Sequence, residues 1–204
     1  CFSFNHIFFG SAVEKMSYIL LAWSKSGDLG LTRERIKARL IRVSQILPNA
    51  EENLLYDFEN ADAETVSAIS DFSIPPAAET SSVRIKILTP MRIQHQGHPI
   101  IPNDLTARDF LIALIRRQQL LSKQHIPDYP EMDFNALRPV IETAALTDAD
   151  VRWFDWKRYS SRQKTQIALG GIMGEFTLTG DLRPIMPYVY AGQWFHVGKS
   201  VVMG

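Results

Sequence analysis

The chain has 204 residues, of which 46% are hydrophobic and 22% are charged, close to the average for soluble globular proteins. This composition excludes a disordered tail, a collagen-like repeat and a bundle of membrane-spanning helices. The only cysteine, Cys1, has no partner for an intramolecular disulfide, so we expect a reducing, cytoplasmic setting. The chain starts without methionine, and we expect it to be a piece of a longer protein.

The formal net charge is zero, but the charges are unevenly distributed. Residues 1–83 contain 7 basic and 11 acidic side chains, whereas residues 84–204 contain 15 basic and 11 acidic ones. A zero total argues against a nucleic-acid partner, because nucleic-acid-binding domains are usually basic. The asymmetry nevertheless indicates that the two parts have different roles.

The first part is predicted to hold one helix and one strand. Ser11 and Glu14 have the spacing of a capping box, and Gly27 is a typical residue after a helix end, so we expect the helix between them. Three apolar residues fall on one face of this helix: Met16, Leu20 and Trp23. Residues 35–40 alternate between charged and apolar, which predicts a strand with one wet face. Residues 70–82 have the composition of a linker.

The second part shows a longer series of elements. The pattern first predicts a strand over 83–87 that stops at Thr89-Pro90, and then a helix that is capped by Thr106 and Asp109 and runs to Leu121. A short helix near 134–145 and extended chain over 151–168 follow. The last predicted elements are a strand over 175–179, a helix over 182–194 started by Pro184, and a strand over 201–203. This order of strand, helix, strand, strand, helix, strand is that of the ferredoxin-like fold. We therefore expect a four-stranded antiparallel sheet with 83–88 at its centre and two helices on one face.

The predicted fold class is α+β, with tandem ferredoxin-like (RRM-like) domains of which the first is incomplete. Residues 1–75 are interpreted as the C-terminal part of a first domain plus linker. Residues 76–204 are interpreted as a second domain with a glycine-rich loop, truncated at its end.

The segment from Gly192 to Ser200 resembles a nucleotide-binding phosphate loop at first sight. That motif needs four residues between its glycines and a helix after Lys-Ser, but here five residues separate Gly192 from Gly198 and only four residues follow Ser200. The nucleotide-hydrolase interpretation is therefore excluded. Two interpretations remain: a glycine-flanked turn whose amides meet a phosphate, near His196 and Lys199, or a plain loop.

Residues 152–164 combine five basic side chains with four aromatic ones and one acid. Aromatic rings stack on bases while Arg and Lys neutralise phosphates, so this interleaving suits single-stranded RNA. The alternative is that Trp153 or Trp156 fills the core and the cations are merely solvated. In either case, Arg158, Tyr159 and Arg162 are expected to be the exposed members.

Two further motifs have simpler explanations. His95 and His98 have a spacing found in some zinc sites, but two solvated loop histidines are favoured, and we expect neither metal nor cofactor. Arg116 and Arg117 are assigned to the helix face opposite Leu114, where they serve solubility or contact a phosphate.

Four stretches, taken in order, carry a family resemblance: Leu88–Arg92, Asp155–Gln163, Leu169–Gly174, and His196–Lys199 leading to Gly204. Together they resemble the C-terminal part of the CRISPR repeat-processing endoribonucleases, members of the RAMP superfamily. The resemblance covers about residues 83–204. It implies two ferredoxin-like domains, repeat RNA as the partner together with other CRISPR-associated subunits, no membrane, and cleavage of precursor CRISPR RNA by 2′-hydroxyl attack without metal.

The resemblance and the basic segment together suggest a set of RNA-binding residues: Arg158, Tyr159, Arg162, Gln163, Gly198, Lys199 and Gly204. In this family the catalytic side chains usually lie early in the first domain, so the fragment alone is expected to be inactive. Among the residues present, His196 is the candidate for proton transfer, since imidazole titrates near neutral pH. The alternative is that His196 only hydrogen-bonds a carbonyl. Two other functions stay open: a non-catalytic RAMP subunit of a guide-RNA complex, and a ferredoxin-like protein-interaction module.

Overall fold

The computed structural model describes residues 1–32, 34–47, 51–57, 80–129, 131–160 and 164–199. The chain divides into two compact units, Cys1–Ser73 and Ile74–Gly204. Within the described residues, no helix combines the length and the apolar character needed to cross a membrane. That the first unit is the end of a ferredoxin-like domain stays a prediction.

Among its described residues, the first unit contains a 3₁₀ helix, an α-helix and a hairpin. A 3₁₀ helix over Gly10–Lys15 leads into α1 (Met16–Leu29), and β1 (Arg42–Ile46) pairs antiparallel with β2 (Glu52–Asp57). The predicted capping box does not form, because no side chain caps either helix start. The helix also ends later than predicted: Gly30, with φ +101°, follows its last residue. Gly27 instead lies inside the helix, where a β carbon would collide with the Ala38 carbonyl.

The strand predicted over residues 35–40 is wrong, since strand structure begins only at Arg42. Arg35 has φ +52°, and the chain turns there so that Leu31 and Ile36 exchange two backbone hydrogen bonds of 2.8 Å. The Ala38 N–H then donates to the Gly27 carbonyl over 3.2 Å. Alternation alone is an insufficient signal here, because this segment packs on the helix end and pairs with no strand among the described residues.

The described part of the second unit contains the predicted elements up to the helix over 182–194, together with two hairpins that were not predicted. Their bounds in chain order are β3 (Ser82–Met91), β4 (Gln94–His95), β5 (His98–Pro99), α2 (Ala107–His125), α3 (Phe134–Thr143), β6 (Ala145–Phe154), β7 (Lys157–Ser160), β8 (Thr165–Ala168), β9 (Gly171–Thr179) and α4 (Met186–Phe195). Contrary to prediction, β3 does not stop at Thr89-Pro90. Its pairing with β9 is irregular between Ile87 and Met91, and an irregular site of this kind tolerates the missing N–H of Pro90.

Among the described residues the main sheet has three strands, in the order β3-β9-β6, with both pairs antiparallel. This is the order of the first three strands of a ferredoxin-like sheet, and the predicted α+β class is confirmed. Among these described strands, β9 is the central one and β3 is paired on one side only. The predicted fourth strand, over 201–203, lies outside the described residues, so the central position of 83–88 stays a prediction.

The core lies between this sheet and the helices. Thr106 caps α2 as predicted, since its Oγ1 accepts the Asp109 N–H over 3.1 Å. Helix α4 begins at Met186, later than the predicted 182, and Pro187 is tolerated in its first turn because no helical N–H partner is needed there. The largest completely buried side chains come from the sheet, α2 and the approach to α4: Phe176, Leu111, Leu114, Ile115, Ile172, Leu178, Leu182 and Ile185.

Candidate functional site

The turn that follows α4 has a backbone geometry suited to glycine. His196 ends the helix by donating its N–H to the Gly192 carbonyl over 2.9 Å, with φ +60° and ψ 174°. That conformation is essentially restricted to glycine, so the histidine is held there under strain. Gly198 follows with φ +101°. The loop formed by residues 196–199 is called the glycine loop below.

The glycine loop lies directly on the chain that leaves β3. A β carbon on Gly198 would lie 2.7 Å from the Arg92 carbonyl oxygen, closer than a real β carbon approaches another atom. The same carbonyl accepts the Lys199 N–H over 2.8 Å, and the Lys199 Nζ donates to the Gln94 Oε1 over 3.2 Å. Glycine is therefore required at position 198 both by the positive φ and by the lack of space.

The other side of the loop faces α2. Helix α4 approaches α2 closely at Gly192, where a β carbon would strike the Leu114 side chain. Although His196 keeps solvent contact, the surrounding protein atoms desolvate its imidazole and lower its pKa, and the Arg117 charge lowers this pKa further. The ring is therefore neutral at neutral pH and able to accept a proton.

The position of Arg117 on α2 differs from the one assigned from the sequence. The sequence placed Arg116 and Arg117 together on the face opposite Leu114, but only Arg116 is exposed. Arg117 is half-buried and interacts electrostatically with His196. The reason is helical geometry, since a residue three positions after Leu114 returns to nearly the same face.

The basic, aromatic segment divides its residues between the core and solvent. Trp153 is half-buried against the core, and its Nε1 donates to the Asp155 Oδ1 over 2.9 Å. Tyr159 lies in β7 opposite Gln166 and is 61% exposed, as predicted. Arg158 lies in the same strand opposite Ile167. The predicted binding residues Arg162, Gln163 and Gly204 lie outside the described residues.

The glycines of the Leu169–Gly174 stretch serve packing. A β carbon on Gly171 would lie 2.7 Å from the Met91 carbonyl oxygen, and one on Gly170 would lie 2.9 Å from the Trp153 Nε1. Gly174 has φ +124° beside the irregular part of β6. These positions allow β9 to approach β3 and β6 closely, so they shape the sheet that carries the site.

Three cationic residues lie around the glycine loop. The backbone of Arg92 is hydrogen-bonded to that of Lys199 on one side of the loop, and on the other side Arg117 is near enough to His196 to lower its pKa. Within the part of the chain that the structure describes, none of the three cationic side chains, Arg92, Arg117 and Lys199, forms an ion pair. Positive charge without an ion-pair partner attracts anions, so this surface is suited to an anionic ligand.

His95 and His98 face each other across β4 and β5, and both are exposed. Among the described residues, no group of three or more histidine, cysteine, aspartate or glutamate side chains is arranged to hold a metal ion.

Replacing Gly198 with alanine is expected to release the glycine loop. The added β carbon meets the Arg92 carbonyl and strains a positive φ, a combination that costs about 1–3 kcal/mol. Hydrogen exchange of the Lys199 amide, which donates to that carbonyl, should accelerate roughly 5- to 150-fold. Gly97→Ala is the matched control, because Gly97 also has a positive φ, of +86°, but has no atom within 4 Å of the added carbon. Unchanged Lys199 exchange in Gly198→Ala would contradict the described packing.

Comparison with solved structures finds partial similarity to Cas6 proteins. The Thermus thermophilus Cas6 (TTHB231) structure is 19% identical over 60% of this chain and 50% of its own, with a TM-score of 0.43. The product complex of TTHB231 is 18% identical over 60% and 48%, with a TM-score of 0.45. The substrate mimic complex of Cas6 (TTHA0078) is 13% identical over 64% and 51%, with a TM-score of 0.42. The chain thus spans about half the length of these proteins.

Protein-family models give the stronger result. No curated protein sequence matches the chain. A model described as an N-terminal domain matches residues 1–68. The model of the CRISPR-associated endoribonuclease Cas6 matches residues 85–204, which include most of β3, the β7–β8 hairpin and the glycine loop. Because this match covers more than half of the chain and confirms the predicted family, the chain belongs to the Cas6 family of CRISPR-associated endoribonucleases.

Proposed function

We propose that this chain binds CRISPR repeat RNA through the glycine loop and the β7–β8 hairpin, within a protein that cuts the RNA in its repeats. The observation that carries the proposal is the group of cations around a glycine loop, without ion-pair partners among the described residues, inside the region that matches the Cas6 family. RNA phosphates supply the missing negative charge. The proposed binding residues are Arg158, Tyr159, Arg162, Gln163, Gly198, Lys199 and Gly204.

The two surfaces suit different parts of a nucleotide. The glycine loop offers Lys199 and backbone close to its surface, which fits a phosphate group. The hairpin offers the exposed ring of Tyr159, on which a base can stack. Single-stranded RNA presents both groups together, so one strand can occupy both surfaces.

The proposed chemistry is attack of a ribose 2′-hydroxyl on the adjacent phosphate. It needs a base for the hydroxyl, an acid for the leaving oxygen and cations for the charge that develops on phosphorus. His196 is proposed for proton transfer, because its lowered pKa leaves a neutral ring nitrogen near Arg117. Lys199 is proposed to stabilise the phosphate charge, and no metal or other cofactor is required.

Removal of two hairpin cations should weaken RNA binding in a salt-dependent manner. The Arg158→Ala/Arg162→Ala double variant is expected to lower the affinity for repeat RNA and to reduce the slope of log K against log salt by about one unit per lost phosphate contact. The measurement is a fluorescence-anisotropy titration at several salt concentrations. Arg116→Ala/Arg138→Ala is the control, since it removes the same amount of charge from outside the hairpin, one arginine from α2 and one from α3. An unchanged slope in the hairpin double variant would show that its cations are structural.

The same titrations separate the other candidate functions. A protein-interaction module would show no steep salt dependence with repeat RNA. A non-catalytic RAMP subunit would bind the RNA but would not cut it when the complete protein is incubated with repeat RNA in EDTA. Cleavage in EDTA supports the proposed endoribonuclease.

A further inference from the structure

Arg92 stands between the two proposed RNA-binding surfaces. It directly follows β3, and its neighbours Met91 and Ile93 are only 4% and 5% exposed. The backbone of Arg92 is therefore fixed by the core on both sides. Its carbonyl is the group that accepts the Lys199 N–H and that excludes a side chain at Gly198.

The side chain of Arg92 reaches in another direction. Its Nη1 donates to the carbonyl oxygen of Ala168, the last residue of β8, over 2.8 Å. Ala168 pairs with Lys157, the first residue of β7, so this hydrogen bond is made at the base of the hairpin. The hairpin base is also held by the Leu169 N–H, which donates to the Trp156 carbonyl over 2.7 Å.

The Arg92 side chain has one buried atom that lowers the stability of the fold. Its Nε is buried and has no hydrogen-bond partner among the described residues, and a buried donor without a partner is destabilising. The same guanidinium makes no ion pair within the described part of the chain. The Arg92 side chain therefore destabilises the fold through its unpartnered Nε and yet joins the end of β3 to the β7–β8 hairpin through its Nη1. The core residues beside it make no such connection.

We propose that Arg92 is a positioning residue, which fixes the β7–β8 hairpin relative to the glycine loop so that both surfaces bind one RNA strand at the same time. This inference rests on the proposed function. The loop is held by the Arg92 carbonyl, which any residue provides, whereas the hairpin is held by its guanidinium. Substitution of the side chain should therefore release the hairpin and leave the loop in place.

The first test needs no RNA. In Arg92→Ala, hydrogen exchange of the amides in β7 and β8 should accelerate at least several-fold, while the Lys199 amide exchanges as in the unsubstituted chain. Arg92→Lys keeps one donor and should restore part of the protection. Arg116→Ala controls for the loss of a positive charge. Unchanged hairpin exchange in Arg92→Ala would overturn the positioning role whether or not the chain binds RNA.

The second test measures whether the two surfaces act together. Tyr159→Ala should weaken repeat-RNA binding roughly 5- to 150-fold in the unsubstituted chain, the usual range for a stacked base, but less than about 3-fold in the Arg92→Ala background. Lys199→Ala should have the same effect in both backgrounds. If Tyr159→Ala has equal effects in both, Arg92 does not position the hairpin. If the unsubstituted chain does not bind the RNA, the proposed function fails, and the exchange experiment still decides whether Arg92 fixes the hairpin.

Discussion

Replacing Phe176 with alanine is expected to lower the free energy of unfolding of the second unit by about 3–5 kcal/mol. Phe176 is completely buried in β9, the central described strand, and its ring meets that of Phe110 edge to face at 5.1 Å between centroids. The truncation removes the ring from a packed core and leaves a cavity. Urea denaturation followed by circular dichroism measures the change.

Phe154→Ala is the matched control, because Phe154 is 43% exposed at the end of β6 and its loss leaves no cavity. We expect it to cost less than about 1 kcal/mol. If Phe176→Ala fails to fold, Phe176→Leu retains most of the side-chain volume and should lower the stability by an intermediate amount. Equal stabilities for the Phe176 and Phe154 variants would contradict the packing described above.

The fold of the second unit was predictable where local and tertiary signals agree. The alternation over 83–87 marks a strand whose apolar residues really do pack against the core. The helix cap involves only Thr106 and Asp109, three positions apart, so it can be recognised without knowledge of the rest of the fold. The inserted β7–β8 hairpin was predicted only as extended chain, because it lacks the clean alternation of a strand with one buried face.

Local signals failed where a distant contact decides the structure. Residues 35–40 alternate as a strand would, but the Gly27 carbonyl binds the Ala38 N–H. Gly27 resembles a helix-ending residue, yet its missing side chain serves the approach of Ala38. A glycine required for close packing and one required for a positive φ look the same in the sequence.

The candidate site was predictable in part for the same reason. The glycine loop with His196 and Lys199 is contiguous, so its residues could be named together. Arg92 stands inside the Leu88–Arg92 stretch that carries the family resemblance, but its contact with Ala168 bridges distant parts of the chain. Arg117 could have been assigned correctly from its three-residue spacing to Leu114.

His196 has both a strained backbone and the side chain proposed for proton transfer. Its φ of +60° and ψ of 174° suit glycine, so glycine would be the more stable residue at this position. Strained residues of this kind cluster at functional sites, where the side chain is needed despite its cost. In the proposed chemistry the neutral imidazole beside Arg117 transfers a proton, which a glycine at this position would be unable to do.

Two substitutions of His196 should therefore have the same effect on cleavage and different effects on stability. His196→Ala and His196→Gly both remove the imidazole, and each should lower the single-turnover rate of repeat-RNA cleavage by the complete protein about 10²- to 10⁴-fold with little change in affinity. Alanine keeps the β carbon and its strain, whereas glycine removes both, so His196→Gly should raise the free energy of unfolding by about 1 kcal/mol or more.

The stability of the unsubstituted protein should also depend on pH. Because the folded-state pKa of His196 lies below that of free imidazole, protonation favours the unfolded chain, and the unsubstituted protein should lose stability relative to His196→Gly as the pH falls below about 6.5. A cleavage rate within a few-fold of the unsubstituted protein, accompanied by weaker binding, would show that His196 holds RNA and that proton transfer belongs to another residue.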